Sequence, residues 1–512
     1  MNPESFQIST WDILIFVAFV VTVVGVGLYQ SRSEEGSEDY FLAGRDLKWW
    51  LIGFSLIASN ISTEQFVGMS GNAASHVGLA IASYEWMAAI TLVIVAFGFL
   101  PYFLRTGIYT MPQFLEVRYD GTARTIMAVA TILIYLLLLG SVTYSGALVI
   151  STLAGKAGYQ LSLATGSLII GVIAMAYVTA GGLKAAVWAD LIQGSALILG
   201  GAVIIWFAFQ KLGMATEAAS VLSVETGAVS IQALAPDAGA IERFWDLNKP
   251  RMNMFLPATD TVLPWTALML GLWIPNFYYW GLNQYITQRT LGSASLAEGQ
   301  KEIVFTAFMK LLIPFLIVVP GIIAFNLYSK DMRLEARGDT AGSMALYLDA
   351  NPDTRFVETL ETPSEAEISA WPDGRYLLAV YPDAASINAV QSTNPWVLPI
   401  TRDALAEARA AEYMVFVTED QSWAAVNPGL AEEVAAFNAG VEAAAGAAGA
   451  KTTPEKMIAY KYDTALAQLL GHVLPQGVGI VGFVLAALLG AVVSSLAAML
   501  NAAGRRVGLA TS

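Results

Sequence analysis

Cysteine is absent from this 512-residue chain. Disulfides, thiolate nucleophiles and cysteine-held metals are therefore excluded. Histidine is almost absent as well: His76 and His472 lie far apart near expected helix ends, which argues against a histidine metal site or a catalytic dyad. Charge is scarce, at 13% of residues against 56% apolar. With a mean hydropathy of +0.57, the chain reads as a polytopic membrane protein. It carries no zinc motif, nucleophile elbow, Walker loop or complete dinucleotide fingerprint, so nothing in it argues for an enzyme.

What is present is apolar helix. The first run, Trp11 to Tyr29, follows a segment with Glu4 and no base, and no small-residue cleavage site comes after it. It reads as a spanning helix and not as a signal peptide. Hydropathy divides the chain into nine spans, near 11–30, 49–74, 80–104, 125–154, 161–180, 185–209, 262–288, 303–327 and 476–501. With the N-terminus outside, the inner loops hold Arg32, Arg45, Lys48, Arg105, Arg118, Arg124, Lys184, Arg289, Lys301, Arg505 and Arg506, and the short outer loops hold Lys156 alone. The positive-inside rule selects that orientation, in the plasma membrane and, for a bacterial chain, the inner membrane.

Most of the net charge of −14 sits in one place. Asp331 to Pro475 carries 21 acidic and 9 basic residues. This stretch reads as a soluble outer insertion whose Pro, Trp and Tyr residues imply a small packed subdomain, with Ala439 to Ala450 as a low-complexity alanine/glycine arm. An acidic, solvated face of this kind implies no nucleic-acid partner.

Several polar groups fall inside spans, where each is a functional candidate. Trp273-Ile274-Pro275-Asn276-Phe277-Tyr278-Tyr279-Trp280-Gly281-Leu282-Asn283-Gln284-Tyr285 interleaves amides with aromatic rings. Amides are costly against lipid. Rings flanked by amides suit a sugar, whose C–H face stacks while its hydroxyls take hydrogen bonds; a polar helix–helix contact is the alternative. Glu85 and Lys310 are either a structural ion pair or donors and acceptors for neutral hydroxyls. Asp190, beside Lys184, reads as interfacial.

The second span is interrupted at Ser59-Asn60-Ile61-Ser62-Thr63-Glu64-Gln65, a poor helix interior in which Ser62 and Gln65 have capping-box spacing. A helix restarted inside the bilayer leaves carbonyls free, here those of Ala58 and Ile61. On the ninth span Ala491, Ser494 and Ser495 stand at i, i+3 and i+4, offering oxygens to a hard cation or else bonding back to their own helix.

In order along the chain, Asp39-Tyr40-Phe41-Leu42-Ala43-Gly44-Arg45, Ala58 to Met69, Tyr84-Glu85-Trp86, Thr179-Ala180-Gly181-Gly182-Leu183, Asn276 to Arg289 and Ser494-Ser495-Leu496 resemble the sodium/solute symporter family, in its sodium/glucose and sodium/galactose branch. The resemblance covers the spans from Asp39 to Asn501. It implies a leucine-transporter-type fold, two inverted five-helix repeats after one extra helix. It implies sugar ligation by Gln65, Glu85, Asn276 and Lys310, with Tyr279 as inner gate and Met69 and Tyr84 as outer gate. It implies a sodium site at Ala58, Ile61, Ala491, Ser494 and Ser495, with Asp190 near the sodium exit path. The implied activity is sodium-driven monosaccharide import, with sodium as co-substrate, no cofactor and the lipid bilayer as surroundings. A non-transporting sugar sensor and a polyol (inositol) symporter are the alternatives.

The expected layout is 1–48, an extra N-terminal helix and inner loop; 49–210, the first repeat; 211–261, an outer loop; 262–328, two helices of the second repeat; 329–475, the insertion; and 476–512, the ninth span and a short inner tail. Ala88 stands where close sugar transporters have serine. The insertion is longer than in simple bacterial relatives, and the tail Ala502 to Ser512 departs from the family pattern. The second repeat therefore reads as incomplete and the chain as a truncated symporter.

Overall fold

The computed structural model describes residues 8–30, 48–61, 63–108, 110–156, 161–216, 218–390, 392–418 and 421–511. The Asp39 to Arg45 block and the Ser62 cap lie outside them, as do the side chains of Thr179 to Leu183. Six described helices are long and apolar enough to cross a membrane: Thr10–Gly27, Gly78–Thr106, Gly121–Ser151, Lys184–Met214, Leu296–Glu335 and Ile480–Ala503. Two expected spans are missing from that set because they are broken. The span at 49–74 is split into α1 (Trp49–Asn60) and α2 (Thr63–Ala74). The span at 262–288 is split into α3 (Trp273–Gly281) and α4 (Gln284–Leu291).

A helix assignment, α5 (Leu163–Met214), takes in both 161–180 and 185–209, of which Leu163–Val172 and Lys184–Met214 are the described apolar stretches.

Helix α6 (Leu296–Glu335) tolerates Pro314 and Pro320 and departs from helical geometry at Tyr328. The last helix, α7 (Ile480–Thr511), starts beneath an Asp12 carboxylate that accepts from the Gly482 N–H at 3.1 Å. A buried acid from the first helix thus satisfies one of the orphan donors of the last.

The membrane part is helical throughout, while the loops carry short strands. In 211–261, β1 (Ala219–Leu222) and β2 (Val229–Gln232) form an antiparallel hairpin. In the insertion, β3 (Val357–Glu361), β4 (Tyr376–Tyr381) and β5 (Val397–Thr401) form a parallel sheet in that order. All six residues of β4 are buried, as the centre of a sheet covered on both faces requires. A second parallel pair joins β6 (Met414–Val417) to β7 (Thr453–Lys456). Ala439 to Ala450 is not an arm: it forms the end of a helix, Pro428–Ala448, closed by Gly449 in the left-handed region. Alanine is the strongest helix former, and that propensity prevails here over low complexity.

Candidate functional site

The two broken helices meet. Helix α1 ends at Asn60, and Ile61 has left helical geometry with its N–H still bonded to Ile57 O at 2.8 Å. The last carbonyls of a helix have no partner inside it. The Ser59 carbonyl receives the Ser495 hydroxyl of α7 at 3.0 Å. Next to it, Asn60 reaches the opposite way: its Nδ2 donates to the Tyr279 hydroxyl at 2.9 Å, and its Oδ1 accepts from Lys310 Nζ.

From Asn60 a buried polar chain runs across the bundle. Lys310 Nζ also donates to Glu85 Oε2 at 2.5 Å, and the other Glu85 oxygen accepts from Gln65 Nε2. The ammonium, itself 0% exposed, lies 5.2 Å from the Trp280 ring centroid. On the other side Tyr285 donates to the Tyr279 hydroxyl at 2.5 Å, and the Tyr135 hydroxyl donates to Asn283 Oδ1 at 2.9 Å. A cavity of about 190 Å3 adjoins this chain, walled by Ser59, Asn60, Gln65, Tyr279, Tyr285 and Ser495.

Gln65, Glu85, Lys310 and Tyr279 therefore come together as the sequence predicts. Asn276 is buried on the same helix as Tyr279, but its Nδ2 bonds to its own helix at Leu272 O, 2.9 Å away. The gate pair is divided, since Met69 is buried in the core whereas Tyr84 is 42% exposed. Sequence reasoning missed Asn60 and Tyr285 as members of the chain. It also missed the break at Leu282-Asn283, whose signal was present in Gly281 followed by Asn283 as N-cap.

The sodium-site candidates divide into three. Ala58 and Ile61 stand at the open end of α1, with Ala58 against Gly194 of α5. Ala491 and Ser495 are buried on α7, and Ser495 meets the same end of α1 at the Ser59 carbonyl. Ser494 points to Asp190, its hydroxyl donating to Asp190 Oδ1. Asp190 is not interfacial: at 1% exposure it also accepts from Ser55 at 2.5 Å, Ser59 at 3.3 Å and Arg289 Nη2 at 2.9 Å. Its closeness to Lys184 in sequence was misleading, because a carboxylate that gains four donors inside the protein need not seek the interface.

Two broken helices that meet at a buried polar chain define a leucine-transporter-like membrane fold. A solved structure of a Na+-coupled sialic acid symporter matches 96% of this chain and 72% of its own, with TM-score 0.58 at 17% identity. The sodium:solute symporter family model matches residues 40–348, and the chain belongs to that family. It is 44% identical to the sodium/glucose cotransporter of Vibrio parahaemolyticus over 350 residues, 67% of this chain and 60% of that one. It is 37% identical over 332 residues to the uncharacterized symporter YidK of Escherichia coli K12 (62% of this chain, 54% of the relative) and 33% identical over 328 residues to sodium/glucose cotransporter 2 of Rattus norvegicus (63% and 48%). The chain thus spans between 48% and 60% of the length of these curated relatives.

Proposed function

We propose that the chain is a sodium-coupled symporter for a neutral monosaccharide, not an enzyme, with its insertion outside the cell and its short basic loops inside. One observation carries this reading: adjacent residues at the open end of α1 serve two sites. Ser59 meets Ser495 on the cation side, and Asn60 meets Lys310 and Tyr279 on the sugar side. A cation drawn to the Ala58 and Ile61 carbonyls and the Ser494 and Ser495 hydroxyls fixes the end of α1. It fixes Asn60 at the same time, so the two ligands are energetically linked.

In the sugar site Gln65, Glu85, Lys310 and Asn60 satisfy one another. A sugar must exchange those hydrogen bonds for its own, with Glu85 and Asn60 Oδ1 accepting and Lys310 and Gln65 donating. Asn276 offers its Oδ1, since its Nδ2 is held by Leu272 O. Tyr279 and Tyr285 supply ring faces. Asp190 and Ser494 form the next polar station for sodium leaving toward the basic face. Each charge moved inward yields about 2.3 kcal/mol per 100 mV, enough to accumulate a neutral sugar.

The test is sodium-dependent D-glucose binding to the full chain in nanodiscs. Gln65→Ala should weaken affinity about 5- to 150-fold, the effect of losing a buried hydrogen bond worth ~1–3 kcal/mol. Ser495→Ala should raise the sodium concentration that half-saturates binding, and glucose should reciprocally tighten sodium binding. Binding indifferent to sodium and to both substitutions would overturn the proposal.

A further inference from the structure

In the 211–261 loop a helix, Ala240–Asn248, packs on the last turns of α5. Phe244 and Leu247 are buried, and the Phe244 ring lies 5.7 Å from the Phe209 ring of α5. A Cβ placed on Gly213 would stand 3.2 Å from Ala240 Cβ. Arg243, 6% exposed, ties the two helices together. Its Nη1 donates to the carbonyls of Leu212, Gly213 and Ala215 at 3.0, 2.9 and 2.9 Å, groups that the end of a helix leaves open.

The other side of this helix has no partner among the described residues. Ile241 is 66% exposed and Trp245 51%. Four residues apart, they form one apolar stripe. Glu242 and Asp246, also exposed, lie about 100° further round the helix. The free surface is thus graded, apolar beside the packed face and acidic beyond it.

Helix α5 gives the depth. Its apolar stretch Lys184–Met214 has 31 residues, about 46 Å at 1.5 Å per residue, against about 40–45 Å for a bilayer with its headgroups. Near this end Trp206 is 65% exposed, and exposed Gln210 and Lys211 follow it. That is the order, aromatic then polar, of a helix leaving hydrocarbon. Phe209 and Gly213, where Ala240–Asn248 makes contact, fall at that boundary. Trp206 and Phe209 are neighbours on one face of α5, and the Phe209, Phe244 and Trp245 rings follow at 5.7 and 6.1 Å. A line of aromatic side chains therefore leads from the flank of a spanning helix to the exposed stripe.

We propose that Ile241 and Trp245 seat this helix in the bilayer interface, between headgroups and acyl chains, with Glu242 and Asp246 turned to water. An indole suits that level, since its ring is apolar while its N–H can donate to headgroup oxygens. Two apolar side chains edged by acids fall far short of the ~800 Å2 that each side of a stable protein interface buries. The seat also matters to α2. The chain passes from this helix straight to Arg251, which donates to Asn248 Oδ1 at 3.2 Å and to Ala74 O and Ser75 O at the end of α2. The inference requires that α5 cross the membrane; it depends neither on the transport reading nor on which side this end faces.

The absence of cysteine makes the test direct. Trp245→Cys, Ile241→Cys and Glu242→Cys each place a single thiol for a fluorescent label on the full chain, reconstituted at one chain per nanodisc. The probes are phosphatidylcholines carrying a nitroxide on the fifth or the twelfth acyl carbon. At Trp245 and Ile241 the shallow nitroxide should quench at least about twofold more than the deep one, because an interfacial helix sinks only ~5–10 Å past the headgroup boundary. At Glu242 both should quench weakly. If either apolar position is quenched no more than Glu242, the stripe stands in water and the proposal fails. Shielding from a water-soluble quencher that appears only in discs holding two chains would assign the face to a second copy and equally overturn it.

Discussion

Lys310 and Glu85 are a buried pair whose alternatives, structural ion pair or sugar ligands, are not exclusive. Their contact is short and dry, and each also holds an amide, Asn60 or Gln65. Removing one partner of such a pair leaves an uncompensated buried charge, at about 3–5 kcal/mol. Lys310→Met should therefore lower the unfolding midpoint markedly. The double substitution Glu85→Gln with Lys310→Met should recover most of the loss, because a neutral amide remains for Gln65. A double variant as unstable as Lys310→Met alone, by thermal unfolding in detergent, would show that the pair is not the unit. At this scale the sequence was informative where a residue's chemistry was unusual for lipid, as with Gln65, Glu85 and Lys310. It was silent on Asn60 and Tyr285, whose roles come from partners 250 and 6 residues away that no local pattern reveals.

Among the elements, the legible break was the one written in poor helix formers. Ser59 to Gln65 carries six polar residues in seven, and the helix stops there. The break at Leu282-Asn283 lay within aromatic residues whose hydrophobicity masked it. Helix α2 depends on close neighbours for its position. Arg251, 1% exposed, donates to Ala74 O at 2.7 Å and Ser75 O at 3.0 Å, closing the end of α2 with its charge over the Phe325 ring at 5.5 Å. On another side Gly321 of α6 touches α2 so closely that a Cβ would stand 2.8 Å from Ser70 Cα. Gly321→Ala should push α2 aside, costing ~1–3 kcal/mol of overpacking and weakening glucose binding through displaced Gln65. Gly171→Ala, whose Cβ would meet nothing within 4 Å, is the control and should be neutral or slightly stabilising. Equal affinity in both variants would show that the α2–α6 contact does not set the site.

For the whole molecule, charge distribution marks 329–475 as a segment apart, but it did not reveal how tightly that segment is joined to the bundle. Burial is continuous: one apolar cluster runs from Ile57 and Met69 in the bundle through Phe325 and Met332 to Tyr347, Leu378, Trp396 and Phe416 in the insertion. Periodicity reports which face of an element is buried, not what it is buried against, so this continuity left no local trace. A shared core predicts shared unfolding. Leu378 sits at the centre of β4, fully buried, and Leu378→Ala should cost about 2–5 kcal/mol. If the core is one cooperative unit, the loss should be felt on the membrane side as well. Hydrogen exchange should then quicken in the insertion strands and, together with them, at Met69 to Ala74 of α2 and Ile322 to Leu327 of α6. Exchange that quickens only within 336–460 would mean that the insertion is an autonomous domain resting on the bundle.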